Sequence, residues 1–293
     1  MKYRHAFHAG NFADVHKHVA LLALLRALQR KEKGFFFLDT HAGRGHYALG
    51  SGDARTSGEA RQGAVAVLAA LRAARLRGTT TDDMPELVDY AGVVDAWRRR
   101  ADARHDYPGS AVLAAEVLRR EDRGVAVEIQ PSEFAALRKA LGRDGRVTAE
   151  HGDGWQRLRA LLPPAERRGL LLIDPPYEDT KGDFRAAAQA VNDALSRFET
   201  GVVAVWYPVK AARDTDLWLA ALARGLARPA IAAELWIHPP DSRAGLNGSG
   251  LLVVNPPFHY ADRCEAWQPA LLHALAAESP GGTRVVSLAG ENR

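Results

Sequence analysis

One cysteine in 293 residues, Cys264, excludes an internal disulfide and fits a chain made in a reducing compartment. Long apolar runs are missing too. The longest are of strand length, far short of the roughly 20 residues that span a bilayer. The opening MKYRHAFHAGNF has no apolar core of the secretory type. No repeat or low-complexity tract interrupts the chain. These absences lead to the expectation of a cytoplasmic protein with no membrane partner, and a monomer is expected. A hydrophobic fraction of 47% with 25% charged residues supplies a core that needs no metal or disulfide staple. The length suits one α/β domain with an insertion as well as two domains.

Charge of one sign is present, and it is uneven. Residues 1–33 carry seven basic side chains (Lys2, Arg4, Lys17, Arg26, Arg30, Lys31, Lys33) against Asp14 and Glu32, in a chain whose net charge is only +4. Such a segment suits an arm that contacts nucleic-acid phosphates, because neutralised phosphates release counterions. A solvated helix face is the plainer alternative. His5, His8, His16 and His18 share the segment. Their spacing matches no standard zinc site and no cysteine lies near, so no metal is expected.

Apolar runs and helical patterns alternate along the chain. Residues 15–31 have helical periodicity and stop at Gly34. FFFLDT (35–40) then ends in Asp39 and meets the glycine turn Gly43-Arg44-Gly45, the order that opens a nucleotide-binding α/β unit. Six further runs follow: VAVEI (125–129), RVTAEH (146–151), LLLID (170–174), VVAVWY (202–207), AAELWI (232–237) and LLVVN (251–255). Seven strands separated by helices predict a mainly parallel, doubly wound sheet. The second strand comes more than 80 residues after the glycine turn, where a compact unit needs about 20. Residues 51–107 are therefore read as a helical insertion, preceded by a basic segment with the first strand (1–50) and followed by the rest of the domain (108–293). The insertion holds nine basic and nine acidic residues.

Asp174-Pro175-Pro176-Tyr177, at the end of LLLI, carries the chemistry. An adenine amine is a poor nucleophile because its lone pair is delocalised into the ring. A carboxylate and the carbonyl of Pro175, fixed by its ring, can accept the two amine hydrogens and aim the nitrogen at a methyl group. Tyr177 can stack on an extruded base. A strand stopped by a Pro-Pro turn is the plainer alternative. Gly43 and Gly45 let backbone approach a ligand. The residues after them depart from the dinucleotide pattern G-x-G-x-x-G. Glu128, ending the second strand, suits ribose hydroxyls, and Asp153 in Gly152-Asp153-Gly154 can accept from an adenine amine. Trp97, Trp155, Trp206 and Trp218 read as core or boundary residues. A second tetrapeptide, Asn255-Pro256-Pro257-Phe258, has the same form, but LLVVN is expected to pair with AAELWI at the sheet edge, away from the crevice.

YRHAFHAGNFADVHKH (3–18), LDTHAGRGHYALG (38–50), YPGS (107–110), GDG (152–154) and IDPPYE (173–178) together resemble the RlmJ family of 23S ribosomal RNA adenine-N6 methyltransferases, over nearly the whole chain. The resemblance implies a Rossmann-like methyltransferase fold with S-adenosyl-L-methionine as methyl donor and a helical insertion after the first strand. It implies donor contacts from His18, His41, Ser110, Glu128, Asp153 and Gly154, beside Gly43 of the turn. Asp174 becomes the catalytic residue and Tyr3 an RNA contact; the basic segment adds Arg4 and Lys17. Phe12 and His16 depart from the family's wording, as does the VEIQPSE segment, which nevertheless keeps Glu128. A DNA adenine methyltransferase, a protein-glutamine methyltransferase and a catalytically silent RNA-binding assembly factor remain the alternatives.

Overall fold

The computed structural model describes residues 8–49, 58–77, 84–142, 145–239, 241–242, 245–275 and 280–289. Tyr3, Arg4 and His5 lie outside them.

The centre of the sheet grows from runs that are almost wholly apolar, while the outer strand β5 is more polar. β1 (Phe36–Asp39), β4 (Arg123–Glu128), β5 (Val147–His151), β6 (Gly169–Ile173) and β7 (Val202–Val209) are parallel neighbours in the order β5-β4-β1-β6-β7. β1 and β6 are buried at every residue, as strands covered on both faces must be. Alternation then sorts the side chains. Phe37, Leu170 and Leu172 enter one core; Phe36, Leu38, Leu171 and Ile173 enter the other.

Three more strands extend the sheet, and here the expectation needs correcting. β9 (Gly248–Val254) does not lie at an edge. It inserts antiparallel between β7 and β8 (Ala230–Trp236). An eighth strand, β10 (Gly282–Ala289), pairs antiparallel with β8 and forms the actual edge. Its TRVVSLA sequence is mostly half-buried, so it lacks the continuous apolar run that marks most of the other strands. A two-stranded ribbon, β2 (His46–Ala48) with β3 (Asp106–Pro108), stands apart from the main sheet.

α1 (Phe12–Gln29) begins at Asn11, whose side chain accepts from the Asp14 amide at 2.9 Å. Every residue from Phe12 to Leu25 is buried. The helix is therefore a core element rather than an exposed basic face, because the sheet, the insertion and the C-terminal helix α9 (Tyr260–Ala274) surround it. The insertion contributes α2 (Ala66–Leu76), entered through a π turn (Arg61–Val65), and α3 (Pro85–Arg100). Past the ribbon, α4 (Ser110–Val117) and α5 (Pro131–Leu141) precede α6 (Gly154–Leu161), α7 (Thr180–Arg197) and α8 (Ala212–Ala223), and these last three cover the second core. No helix among the described residues is long and apolar enough to cross a membrane.

Candidate active site

The strand order reverses at β1: β4 and β5 lie on one side, β6 on the other. Ligands of such sheets bind outside the carboxyl ends of the strands at that point. Asp39 closes β1 opposite Leu172 of β6, and Asp174 follows β6 directly. The two carboxylates thus straddle the switch.

Lys17 reaches Asp174 from α1. Its Nζ donates to Asp174 Oδ2 at 2.6 Å and to Asp14 Oδ1 at 2.9 Å. The Lys17 side chain is 5% exposed and that of Asp174 13%. Lys17 was expected to face RNA phosphate; its burial in this ion pair corrects that. Burial by itself would push the ammonium down, but Asp14 and Asp174 together outweigh it and raise the group above the usual lysine range. Asp14 is held in turn by the Gly10 amide, which donates to Oδ2 at 2.9 Å.

Asp39, read from the sequence as the acid that closes the first strand ahead of the glycine turn, has a special environment. It is fully buried, accepts from Ser110 Oγ at 2.5 Å and takes the His41 amide at 3.2 Å. Burial lifts its carboxyl to about 7; the Ser110 hydrogen bond opposes this and the Asp174 charge adds to it. His41 is driven down to about 4 by burial and is neutral near pH 7. Its ring sits edge-on to Trp155 with centroids 4.6 Å apart. The Asp39 shift has a measurable consequence. Between about pH 4 and 7 the folded chain keeps a proton that the unfolded chain, near the ordinary 3.8, has released. The stability contributed by this group is therefore present at low pH and is lost as pH rises through about 7. Asp39→Asn should stabilise the ligand-free protein, with a larger gain in Tm at pH 8 than at pH 5. Equal gains at both would place the Asp39 titration elsewhere.

The other predicted donor residues line the ends of β4 and β5. Glu128 accepts from the Gly43 amide at 3.0 Å and the Gln130 amide at 2.7 Å, so it ties the glycine turn to its own strand. Gly43 and Gly45 both have left-handed φ, +60° and +73°, as that turn requires. Asp153 caps α6 through the Trp155 amide at 2.8 Å. Gly154 cannot be larger: a Cβ there would lie 2.0 Å from the Thr40 carbonyl oxygen. Ile129, next to Glu128, is exposed, an apolar surface that sequence reading passed over.

Two of the expected site residues are buried against neighbouring side chains. His18 is buried, with Nδ1 2.7 Å from the Tyr107 hydroxyl and its ring stacked on Tyr107. Tyr177 is only 4% exposed; its hydroxyl donates to the Trp206 carbonyl at 2.7 Å and its ring packs on Phe184 and Trp206. It offers no open face for a base. It fixes the Pro175-Pro176 turn, at a left-handed φ of +51° rarely taken by a bulky residue. The remaining described histidines of the N-terminal segment have protein partners: His8 bonds Glu59, and His16 bonds Ser249 and Gln268.

A doubly wound sheet of this order, with a glycine turn after β1 and Asp-Pro-Pro-Tyr after β6, defines a Rossmann-like methyltransferase. Known proteins take the assignment further. The family model described as Ribosomal RNA large subunit methyltransferase D, RlmJ, matches residues 32–288. The chain is 37% identical over 286 residues to Ribosomal RNA large subunit methyltransferase J of Haemophilus influenzae, covering 97% of this chain and 98% of that protein. It is 38% identical over 284 residues to the Escherichia coli K12 protein of the same name, with coverage of 97% and 96%. A crystal structure of a Legionella pneumophila protein superposes with a TM-score of 0.82 at 32% identity, covering 96% of this chain and 98% of that one. The chain belongs to the RlmJ family.

Proposed function

We propose that this protein transfers a methyl group from S-adenosyl-L-methionine to the N6 amine of an adenine in 23S ribosomal RNA, in the cytoplasm. One observation supports the reading: Asp174 and Pro175 follow β6, whose parallel neighbour β1 leads into the glycine turn, and Glu128 at the end of β4 bonds that turn. The residues fit a cationic donor. Asp39 is a fully buried carboxylate whose proton affinity is raised to about 7, and a positive sulfur nearby would stabilise its charged form. When bound, the donor supplies an activated methyl group on that sulfur. Gly43, Glu128, Asp153 and Gly154 are the residues proposed to hold it, with His41 and Ser110 at its β1 side.

The chain's own part is orientation. Lys17 occupies Oδ2 of Asp174 and leaves Oδ1 to accept one amine hydrogen. The Pro175 carbonyl takes the other. Held this way, the nitrogen lone pair points out of the ring plane toward the methyl group. No strong base is needed at the start, since the amine becomes acidic only as its new bond forms.

Labelled donor incubated separately with total RNA, DNA and protein distinguishes this reading from its alternatives. Label should enter RNA and be recovered as N6-methyladenosine. Incorporation only into DNA or protein would replace the proposed substrate, and no incorporation with intact donor binding would favour an assembly factor.

A further inference from the structure

The insertion is charge-neutral in sequence, but its charges are sorted in space. A cleft of about 910 Å³ opens between the π turn, α2, α3 and the loop before β3. Arg61, Arg72, Arg98, Arg99 and Arg104 line it with His105, against two aspartates, Asp95 and Asp102. Asp95 is already taken by Arg72, at 2.5 Å. Arg98 is the telling member. It is only 8% exposed, its Nε donates to the Asp106 carbonyl at 2.8 Å, and among the described residues no carboxylate forms an ion pair with it. A buried guanidinium without a counter-ion is costly unless an anion completes it. Burial pushes it below the usual arginine range; Tyr90 and the Asp95 charge, itself shared with Arg72, only partly offset this.

Both walls of the cleft lead to the active site. The π turn packs on the start of α1: the Ala64 amide donates to the Gly10 carbonyl at 2.8 Å, and a Cβ on Gly63 would meet that oxygen at 2.1 Å. Gly10 in turn holds Asp14, the partner of Lys17. The opposite wall runs through β3, whose Asp106 bonds Arg98 by its carbonyl and His46 by its side chain at 2.5 Å. β3 continues through Gly109, which bonds the glycine turn at Gly45, to Ser110 on Asp39. A three-residue strand spans roughly 10 Å, so the cleft lies within a few nucleotides of the reacting base.

We propose that this arginine cleft seats the phosphate backbone of the substrate RNA flanking the target adenosine, with Arg98 as its buried phosphate receptor. The inference rests on RNA being the substrate. It assigns the insertion a docking role that its zero net charge conceals. A single small anion would not account for Arg61, Arg98, Arg99 and Arg104, which have no carboxylate ion-pair partner among the described residues and are spread around a cleft of this size.

The test compares wild type with Arg99→Ala/Arg104→Ala, two exposed residues whose loss should leave the fold intact, and with Arg98→Gln. Binding of transcribed 23S ribosomal RNA is titrated over a salt series. Methylation is measured in parallel. The double variant should bind about tenfold more weakly near 0.1 M salt, and its log–log salt slope should fall by about 1.4, two phosphates at about 0.7 each for single strands. KM for RNA should rise while donor affinity and kcat at saturating RNA stay within about twofold, as loss of uniform binding requires. Arg98→Gln should raise thermal stability in the free protein, by relieving a buried unpaired charge, while weakening RNA binding. Unchanged RNA affinity and salt slope in the double variant overturn the proposal, and a protein partner for this surface would give that result. A wild type that binds RNA without methylating it removes the proposed function alone, since the titration still decides what the cleft does.

Discussion

Asp174→Ala should lower the rate of methyl transfer by about 10²–10³-fold, the range seen when one preorganised polar contact to the reacting group is removed, while donor affinity and fold persist. The fold should survive because Lys17 keeps Asp14 as a counter-ion at 2.9 Å. Donor affinity should persist because the proposed donor residues hang on β1, β4 and β5. The matched control is Asn255→Ala in the second Pro-Pro tetrapeptide. β9 runs antiparallel to β7, and Val254 pairs with Val203 at the start of β7. Asn255 therefore sits at the edge of the sheet opposite the ligand crevice. Its Nδ2 is spent on the Glu199 and Gly201 carbonyls, at 2.8 and 2.9 Å. Asn255→Ala should lose some stability and keep turnover within a few-fold of wild type. Single-turnover rates with calorimetric donor affinities measure both variants. An Asp174→Ala enzyme slowed less than about tenfold, below roughly 1.4 kcal/mol of barrier, or an inactive but folded Asn255→Ala enzyme, would move the active site off β6.

That contrast also shows what the sequence could and could not say. The tetrapeptide at 255 is expected at a sheet edge and instead follows an internal antiparallel strand, because strand direction is not written in an apolar run. LLVVN reads the same whether parallel or antiparallel, internal or at an edge. The parallel half of the sheet was legible for a physical reason: strands buried on both faces lose alternation and become unbroken runs of Val, Leu, Ile and Phe. β10 was not, since its Arg284 reaches Glu234 and Asp216 and its apolar residues are only partly covered. Glu128 and Asp153 were legible from their order after strands: Glu128 closes β4 and Asp153 follows β5 to cap α6. Asp39 was visible as a letter but not as a buried acid, because its burial depends on Ser110, 71 positions away.

Lys17 shows the limit most sharply, and it sets the other large effect. By sequence it was one of seven basic residues in a segment that looked solvated; in space it is the sole described cation within ion-pair distance of Asp174, 157 positions later. Lys17→Met leaves Asp14 and Asp174 buried with no counter-ion between them. Breaking a buried pair in this way costs about 3–5 kcal/mol, so Tm should fall by roughly 10 °C in a chain of this size. Turnover should fall as well, because Asp174 loses the partner that holds Oδ2 and fixes the direction of Oδ1. The two losses have different origins and can be separated. Adding Asp14→Asn to Lys17→Met removes one of the two carboxylates that Lys17 pairs with and should recover a good part of the lost stability. It cannot restore the orientation of Asp174, so turnover should stay low in the double variant. Thermal unfolding and single-turnover methylation across the two variants test this. If stability and activity return together in the double variant, Lys17 acts only by holding the fold. If Lys17→Met is both stable and active, the buried ion pair has no part in aiming the amine.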